Sequence, residues 1–389
     1  MRILYLDWKS AANNFMIDAF KNKGYEIVSF DFCAYKDDKV NPEGSSLLVQ
    51  KLLSETFDYC FSFNYFPVAA VACKACKIKY VSWTFDSPYV FLYSDTIKYE
   101  TNYAFVFDSS EVMNLKALGI DTVYYLPLAS ACSYYDSVIA DNSIKRKYSC
   151  DVSMVGSMYS EPKHRIFDKF DRISQYTKGY LEALIEAQHY IYGADIIEPA
   201  LTPDIIKELQ NDAPFLKPED ELQSFAWLYS KYFFARELTR RERHLFLSKL
   251  SEKYHVNLYT YLPTDDLPLV HNMGPVDYYR EAPLAFKTAK ININIGLRSI
   301  INGIPLRCFD ILGCGGFLLT DYHYDFEGLL EDGVDYVSFS DTADMMDKVE
   351  YYLTHENERY EISRNGYEKV RHNHSFESRI EMIESIITG

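Results

Sequence analysis

The chain has 389 residues, 48% hydrophobic and 25% charged. That is length for two domains and apolar content for packed cores, which excludes wholesale disorder and a fibrous repeat. The formal net charge is −16, so the surface as a whole repels nucleic acid and anionic membrane, and a phosphate ligand must be held by a local site. Tyrosine is in excess, with 34 Tyr and 25 Phe against 3 Trp. A phenol suits rings carrying many hydroxyls, but compositional bias and packing account for most of the excess.

The opening MRILYLDW reads as a strand and lacks the basic flank, long apolar stretch and cleavage site of a secretory signal, so a cytoplasmic location is expected. The longest charge-free run, 59–73, is broken by Asn64 and Pro67 and is too short for a membrane span, which needs about 20 apolar residues. The eight cysteines read as reduced thiols. Cys73 and Cys76 have CxxC spacing but no second ligand pair, so no zinc site is expected.

Residues 1–148 alternate aromatic-rich apolar runs (2–8, 26–32, 58–63, 80–85, 103–108, 123–128) with helical stretches (11–23, 46–55, 67–76, 110–118). This βαβ rhythm predicts a parallel sheet covered on both faces, a Rossmann-like half without the GxGxxG fingerprint. A polar stretch, 141–147, reads as a linker. A second domain, 149–374, opens with a strand at 151–155 ending in Gly156-Ser157 and is interrupted by a helical insertion over about 161–253. The rhythm resumes with strands at 257–262, 291–295, 317–320 and 335–338, helices at 278–288 and 305–312, and amphipathic helices at 342–353, 357–370 and 375–387. The last of these, in 375–389, is expected to pack back on the first domain.

The most informative stretch is KININIGLRSIINGIPLRCFDILGCGGFLLTDY, 290–322. Ile291, Ile293 and Ile295 alternate with Asn292 and Asn294, so one strand face is apolar and the other presents amides. Pro305 opens a helix after Gly303, and Gly315-Gly316 stop it. The free N–H groups near Ile304, with Arg298 on the loop and Arg307 in the first turn, would favour an anion. Asp310 lies one turn beyond Arg307 on the same face, so a surface ion pair between them is the competing reading.

GIPLRCFDILGCGGFLLTDY, DGVDYVSF, YYLTHENERYEISRNGYEKV and HSFESR together resemble the C-terminal domain of GT-B glycosyltransferases of the CgeB-like (spore-maturation-protein-like) group. SWTFDSP, YLPLA and DVSMVGSMY extend the similarity over nearly the whole chain. The resemblance implies an α/β GT-B fold: two Rossmann-like domains facing a cleft, the second with a helical insertion. It further implies a hexosyl- or N-acetylhexosaminyltransferase that moves sugar from a nucleotide diphosphate sugar, UDP-linked by expectation, to an acceptor hydroxyl of a glycan, protein or small molecule. The nucleotide sugar is a co-substrate, and no cofactor is expected. The resemblance places the ribose on Asp310, where Glu is more usual, and the diphosphate on Arg298 and Arg307. Close backbone approach would come from Gly156 and Ser157, and base contacts from 273–276, including Pro275 and Val276. Asn294, Gly303 and Ile304 complete the expected donor set. Asn302 stands where the wider retaining group carries a second Glu.

The nine histidines all fall at His164 or later, so a histidine base from the first domain is unavailable. Asp86, after the strand at 80–85, is the candidate base, with Arg307 as the catalytic leaving-group stabiliser. Asp7, Asn64 and Tyr65, at other strand ends, are acceptor-side candidates by the same topological rule. No D-x-D triplet occurs, which favours metal-independent neutralisation of the diphosphate by arginine and the helix end. A non-catalytic nucleotide-sugar-binding scaffold and a nucleotide-sugar epimerase are the alternative readings.

Overall fold

A computed structural model of the chain describes residues 1–215 and 221–388. They form two compact units. One holds residues 1–129, 221–223 and 374–388, and the other holds 130–215 and 224–373. Residues 130–148, read with the first domain from sequence, thus group with the second unit.

Unit 1 is built on six parallel strands, β1 (Arg2–Asp7), β2 (Glu26–Asp31), β3 (Tyr59–Phe63), β4 (Lys79–Thr84), β5 (Asn102–Val106) and β6 (Val123–Tyr125), in the order β2-β1-β3-β4-β5-β6. β3 is buried at every residue whereas the edge strand β2 is partly exposed, as a sheet covered on both faces requires. The helices between them start on recognisable signals. Asn41 caps Pro42–Ser54 by accepting from the Gly44 amide (2.7 Å), and Asp108 caps Ser109–Ala117. The closing helix Phe376–Ile387 belongs to this unit. Phe376 packs on Phe15, and the buried Arg379 donates to the carbonyls of Pro127 (2.8 Å) and Leu128 (3.0 Å).

Unit 2 carries β7 (Val152–Val155), β8 (Val256–Tyr259), β9 (His271–Asn272), β10 (Ile291–Asn294), β11 (Leu318–Asp321) and β12 (Val337–Phe339), all parallel, in the order β12-β11-β10-β7-β8-β9. The chain runs outward from β7 in one direction and from β10 in the other, so the order reverses between these two neighbours. Such a switch point opens a crevice at the carboxyl ends of the strands. The expected linker at 141–147 is instead the helix Asn142–Tyr148, because Asp141 accepts from the amides of Ser143 and Ile144 (both 2.8 Å) and Tyr148 is buried. The insertion has a core of its own, in which Leu181, Ile185, Leu209 and Leu238 pack with Tyr229 and Phe234. Its last helix, Ala235–Ser251, also contributes Phe246, Leu247 and Leu250 to the core of the sheet. Among the described residues no helix is long and apolar enough to cross a membrane.

Candidate functional site

β7 runs into Gly156-Ser157 and β10 into Ile295-Gly296, so these pairs border the unit 2 crevice. Arg243, from the helix Ala235–Ser251, lies across it. Its Nε donates to the Ile295 carbonyl (3.1 Å), and a second guanidinium nitrogen donates to the Ser157 carbonyl. The residue is 3% exposed, and burial pushes its pKa down to about 10. Among the described residues its hydrogen bonds go to backbone carbonyls and no carboxylate contacts it directly, so its charge is left over for the crevice. Sequence reading missed Arg243 because it sits in the densely charged run 236–250, which resembles a solvated face.

Arg307 lies in the first turn of the helix Leu306–Gly313, after Pro305. A Cβ on Gly156 would stand 3.0 Å from Arg307 Nη2 and 3.2 Å from Cζ, so the guanidinium lies over the glycine and a side chain at 156 would have to displace it. Arg307 makes no hydrogen bond or ion pair among the described residues. The ion pair with Asp310 does not form. Asp310 is 4% exposed and its Oδ1 accepts from Tyr135 (2.7 Å) and Tyr278 (3.2 Å). Burial lifts its pKa to about 7, against the opposing effects of those two phenols and of Arg307. The expected ribose ligand is therefore an internal anchor for two tyrosines, with one oxygen already engaged.

Several expected donor residues are placed elsewhere. Asn294 is fully buried and donates to Thr320 Oγ1 (2.9 Å), tying β10 to β11. Arg298 turns away from the crevice. Its Nη2 donates to the carbonyls of Gln188 (2.5 Å) and Ile191 (2.6 Å), and Cζ lies 3.9 Å from the centre of the Tyr192 ring. Ser157 uses its hydroxyl to accept from the Tyr159 amide (2.9 Å). Gly303 and Ile304 are buried just ahead of the Pro305 cap. Pro275 and Val276 lie on the partly exposed loop after β9, two strands from the switch point.

A second feature that sequence reading missed sits at the end of β11. Asp321 accepts twice from the Gly296 amide (3.0 and 3.1 Å), and His323 Nε2 lies 3.3 Å from its Oδ1. His323 is 3% exposed. Burial raises the Asp321 pKa, but His323, the Gly296 amide and Arg298 outweigh it, so the carboxyl is held below its usual range.

In unit 1 the sheet order reverses between β1 and β3, and two of the expected acceptor-side residues, Asp7 and Asn64, stand at that crevice. Asp7, at the end of β1, takes Lys9 Nζ (2.7 Å) and the Asn13 amide. Burial opposes its ionisation, but the Lys9 hydrogen bonds and charge win and lower its pKa. Asn64 has φ +58, a conformation that costs a non-glycine residue about 1 kcal/mol or more. Its Nδ2 donates to Asp86 Oδ2 (2.7 Å) and its Oδ1 accepts from the Phe85 amide (2.9 Å). Asn64 and Asp86 are thus brought together. Tyr65 is corrected: it is wholly buried, with its hydroxyl bonded to Thr96 Oγ1 (2.8 Å) and reached by Asn102 Nδ2 (3.4 Å), so it cannot serve as a sugar platform.

Two all-parallel six-stranded sheets with flanking helices are the GT-B fold class. Residues 240–385 match the family model described as glycosyl transferase-like. Across whole chains, the structure is similar to a glycosyltransferase from Rickettsia africae (10% identity, 99% of this chain and 98% of that one, TM-score 0.56). It is similar to Anabaena HepE in complex with UDP-glucose (12% identity, 100% and 99%, TM-score 0.57) and to sucrose-phosphate synthase from Thermosynechococcus elongatus (8% identity, 100% and 98%, TM-score 0.57). No curated protein sequence matches the chain.

Proposed function

We propose that the chain is a glycosyltransferase that takes sugar from a nucleotide diphosphate sugar, with unit 2 holding the donor. One observation carries the reading: at the switch point of the unit 2 sheet, the guanidinium of Arg307, without a partner among the described residues, lies against the bare backbone of Gly156. A planar fork with free donors fits diphosphate oxygens bidentately. Arg243 adds a second positive charge from beneath, which supports charge neutralisation by the protein itself. The glycosyl transferase-like match over 240–385 and the UDP-glucose complex of Anabaena HepE favour sugar transfer and a UDP-linked donor. Within that class, the runs GIPLRCFDILGCGGFLLTDY and HSFESR favour the CgeB-like group.

In the transfer, the bond between the anomeric carbon and the diphosphate oxygen breaks with its electron pair leaving on the diphosphate. The acceptor oxygen forms the new bond and gives up its proton. Negative charge grows on the leaving group as that bond breaks, so Arg307 binds the transition state more tightly than the ground state. Asp86 is our assignment for the group that takes the acceptor proton, with Asn64 fixing its carboxylate. The test is product analysis with UDP-sugars: free UDP together with a glycosylated acceptor supports transfer, whereas an isomerised nucleotide sugar or an intact donor refutes it.

A further inference from the structure

The turn 190–194, after the insertion helix Gln175–His189, presents Tyr190 at 68% exposure, yet it is firmly held. Gln188 Nε2 donates to the carbonyls of Ile191 (2.9 Å) and Ala194 (2.8 Å), and its Oε1 accepts from the Ile196 amide (2.8 Å). Arg298 donates to two carbonyls of the same segment and stacks on Tyr192. The buried Glu242 backs this guanidinium at 3.6 Å and accepts from His189 Nδ1 (3.0 Å). Gly193, at φ +74, makes the reversal that a side chain would strain. A rigid, buried scaffold that displays an exposed aromatic ring is the arrangement of a recognition loop, not of a packing element.

Facing this turn, at the carboxyl ends of β11 and β12, is a groove of about 580 Å³ whose lining includes Tyr190, Tyr192, Tyr322, Ser338, Asp344 and Lys348. The three tyrosine hydroxyls make no hydrogen bond among the described residues. Tyr322 is 39% exposed. Lys348 is the one cation in the lining, and it is spent on the Ser338 carbonyl (2.7 Å) and Asp344 Oδ2 (2.8 Å), so the groove offers no free positive charge to a phosphate. What it offers is aromatic faces and unused phenols, since Asp344 is itself held by Lys348 and the Ser340 amide. These match the C–H faces and hydroxyls of sugar rings.

We propose that this groove is a binding site for a neutral oligosaccharide, distinct from the Gly156–Arg307 crevice but on the same carboxyl edge of the unit 2 sheet. The site needs no nucleotide, and its test is independent of the donor reading. Saturation-transfer NMR on the full chain without nucleotide would use maltotetraose, cellotetraose and chitotetraose as probes. At least one should receive saturation from the protein. The double variant Tyr190→Ala/Tyr322→Ala, at two exposed positions, should weaken that binding about tenfold or more, and Tyr190→Phe/Tyr322→Phe should weaken it less, because the rings remain. The ligand-free Tm of both variants should match that of the wild type, which reports that they are folded. Absence of saturation transfer to all three probes, equal binding by wild type and the Ala variant, or displacement of the tetrasaccharide by UDP would each overturn the proposal.

Discussion

The two sheets present opposite chemistry at topologically equivalent places. At the β1/β3 reversal of unit 1 stands Asp7, at the end of β1, with Asp86, after β4, drawn to the end of β3 by Asn64; Lys9 and Asn13 orient the first carboxylate and Asn64 the second. At the β7/β10 reversal of unit 2 stand two guanidinium groups, Arg243 and Arg307, one anchored to backbone carbonyls and the other unpartnered. With a shared strand geometry, the difference lies in the sign of charge at the crevice. One crevice can accept protons from hydroxyls, and the other can hold an anion. Fold alone would not separate those roles.

Substitutions can break that comparison, and they should separate by readout. Asp86→Asn should lower turnover by about 10²- to 10⁴-fold, the usual worth of a general base, while the thermal shift given by UDP stays at its wild-type size; a variant of undiminished turnover removes Asp86 from the chemistry. Arg307→Ala should lose about 10²- to 10³-fold in kcat by removing one leaving-group stabiliser. Retained kcat would assign the diphosphate to other groups.

Arg243→Leu should cost about 2–3 kcal/mol of stability in urea unfolding, because the Ser157 and Ile295 carbonyls lose their buried donor, and Arg243→Lys should recover part of it. An Arg243→Leu variant as stable as wild type would show that those carbonyls find other partners. Gly156→Ala is a finer probe: its methyl must push Arg307 aside by a few tenths of an ångström at a φ of +155 that strains a side chain, so UDP affinity should fall about tenfold and Tm should fall with it.

A further expected effect is on pH dependence. The Asp310 carboxyl has a folded-state pKa of about 7 against an ordinary 3.8. Between those values the folded chain holds a proton that the unfolded chain has released, so this group's contribution to stability falls as pH rises through that window. Asp310→Asn should therefore give a flatter Tm profile from pH 4.5 to 7.5 than wild type. Parallel profiles would show that Asp310 is ionised throughout.

Much of the architecture was readable in the sequence because strand and helix periods are local. The run 291–295 alternates apolar and amide residues and forms β10, and Pro305 with Gly315 brackets the helix Leu306–Gly313. β9, only two residues long, carries too little pattern to be seen. The stretch 141–147 was misread although its cap, Asp141, is in plain view. The site was harder, because the direction of a long side chain depends on partners far along the chain. Arg298 looked like a phosphate ligand from its loop position, but its acceptors, Gln188 and Ile191, lie in the insertion. Arg243 does not stand out in sequence among its charged neighbours, although it is buried against the ends of β7 and β10. Gly156 and Arg307, selected for reasons of backbone access and charge, do meet.

The central claim is that Arg307 and Gly156 hold the diphosphate of a nucleotide sugar. Calorimetric titration of UDP into the wild-type chain and into Arg307→Ala tests it most directly. Saturable binding by the wild type, weakened by at least about 1.4 kcal/mol, or tenfold, in the variant, is the predicted result. Equal affinity in the two proteins, or no binding by the wild type, would contradict it.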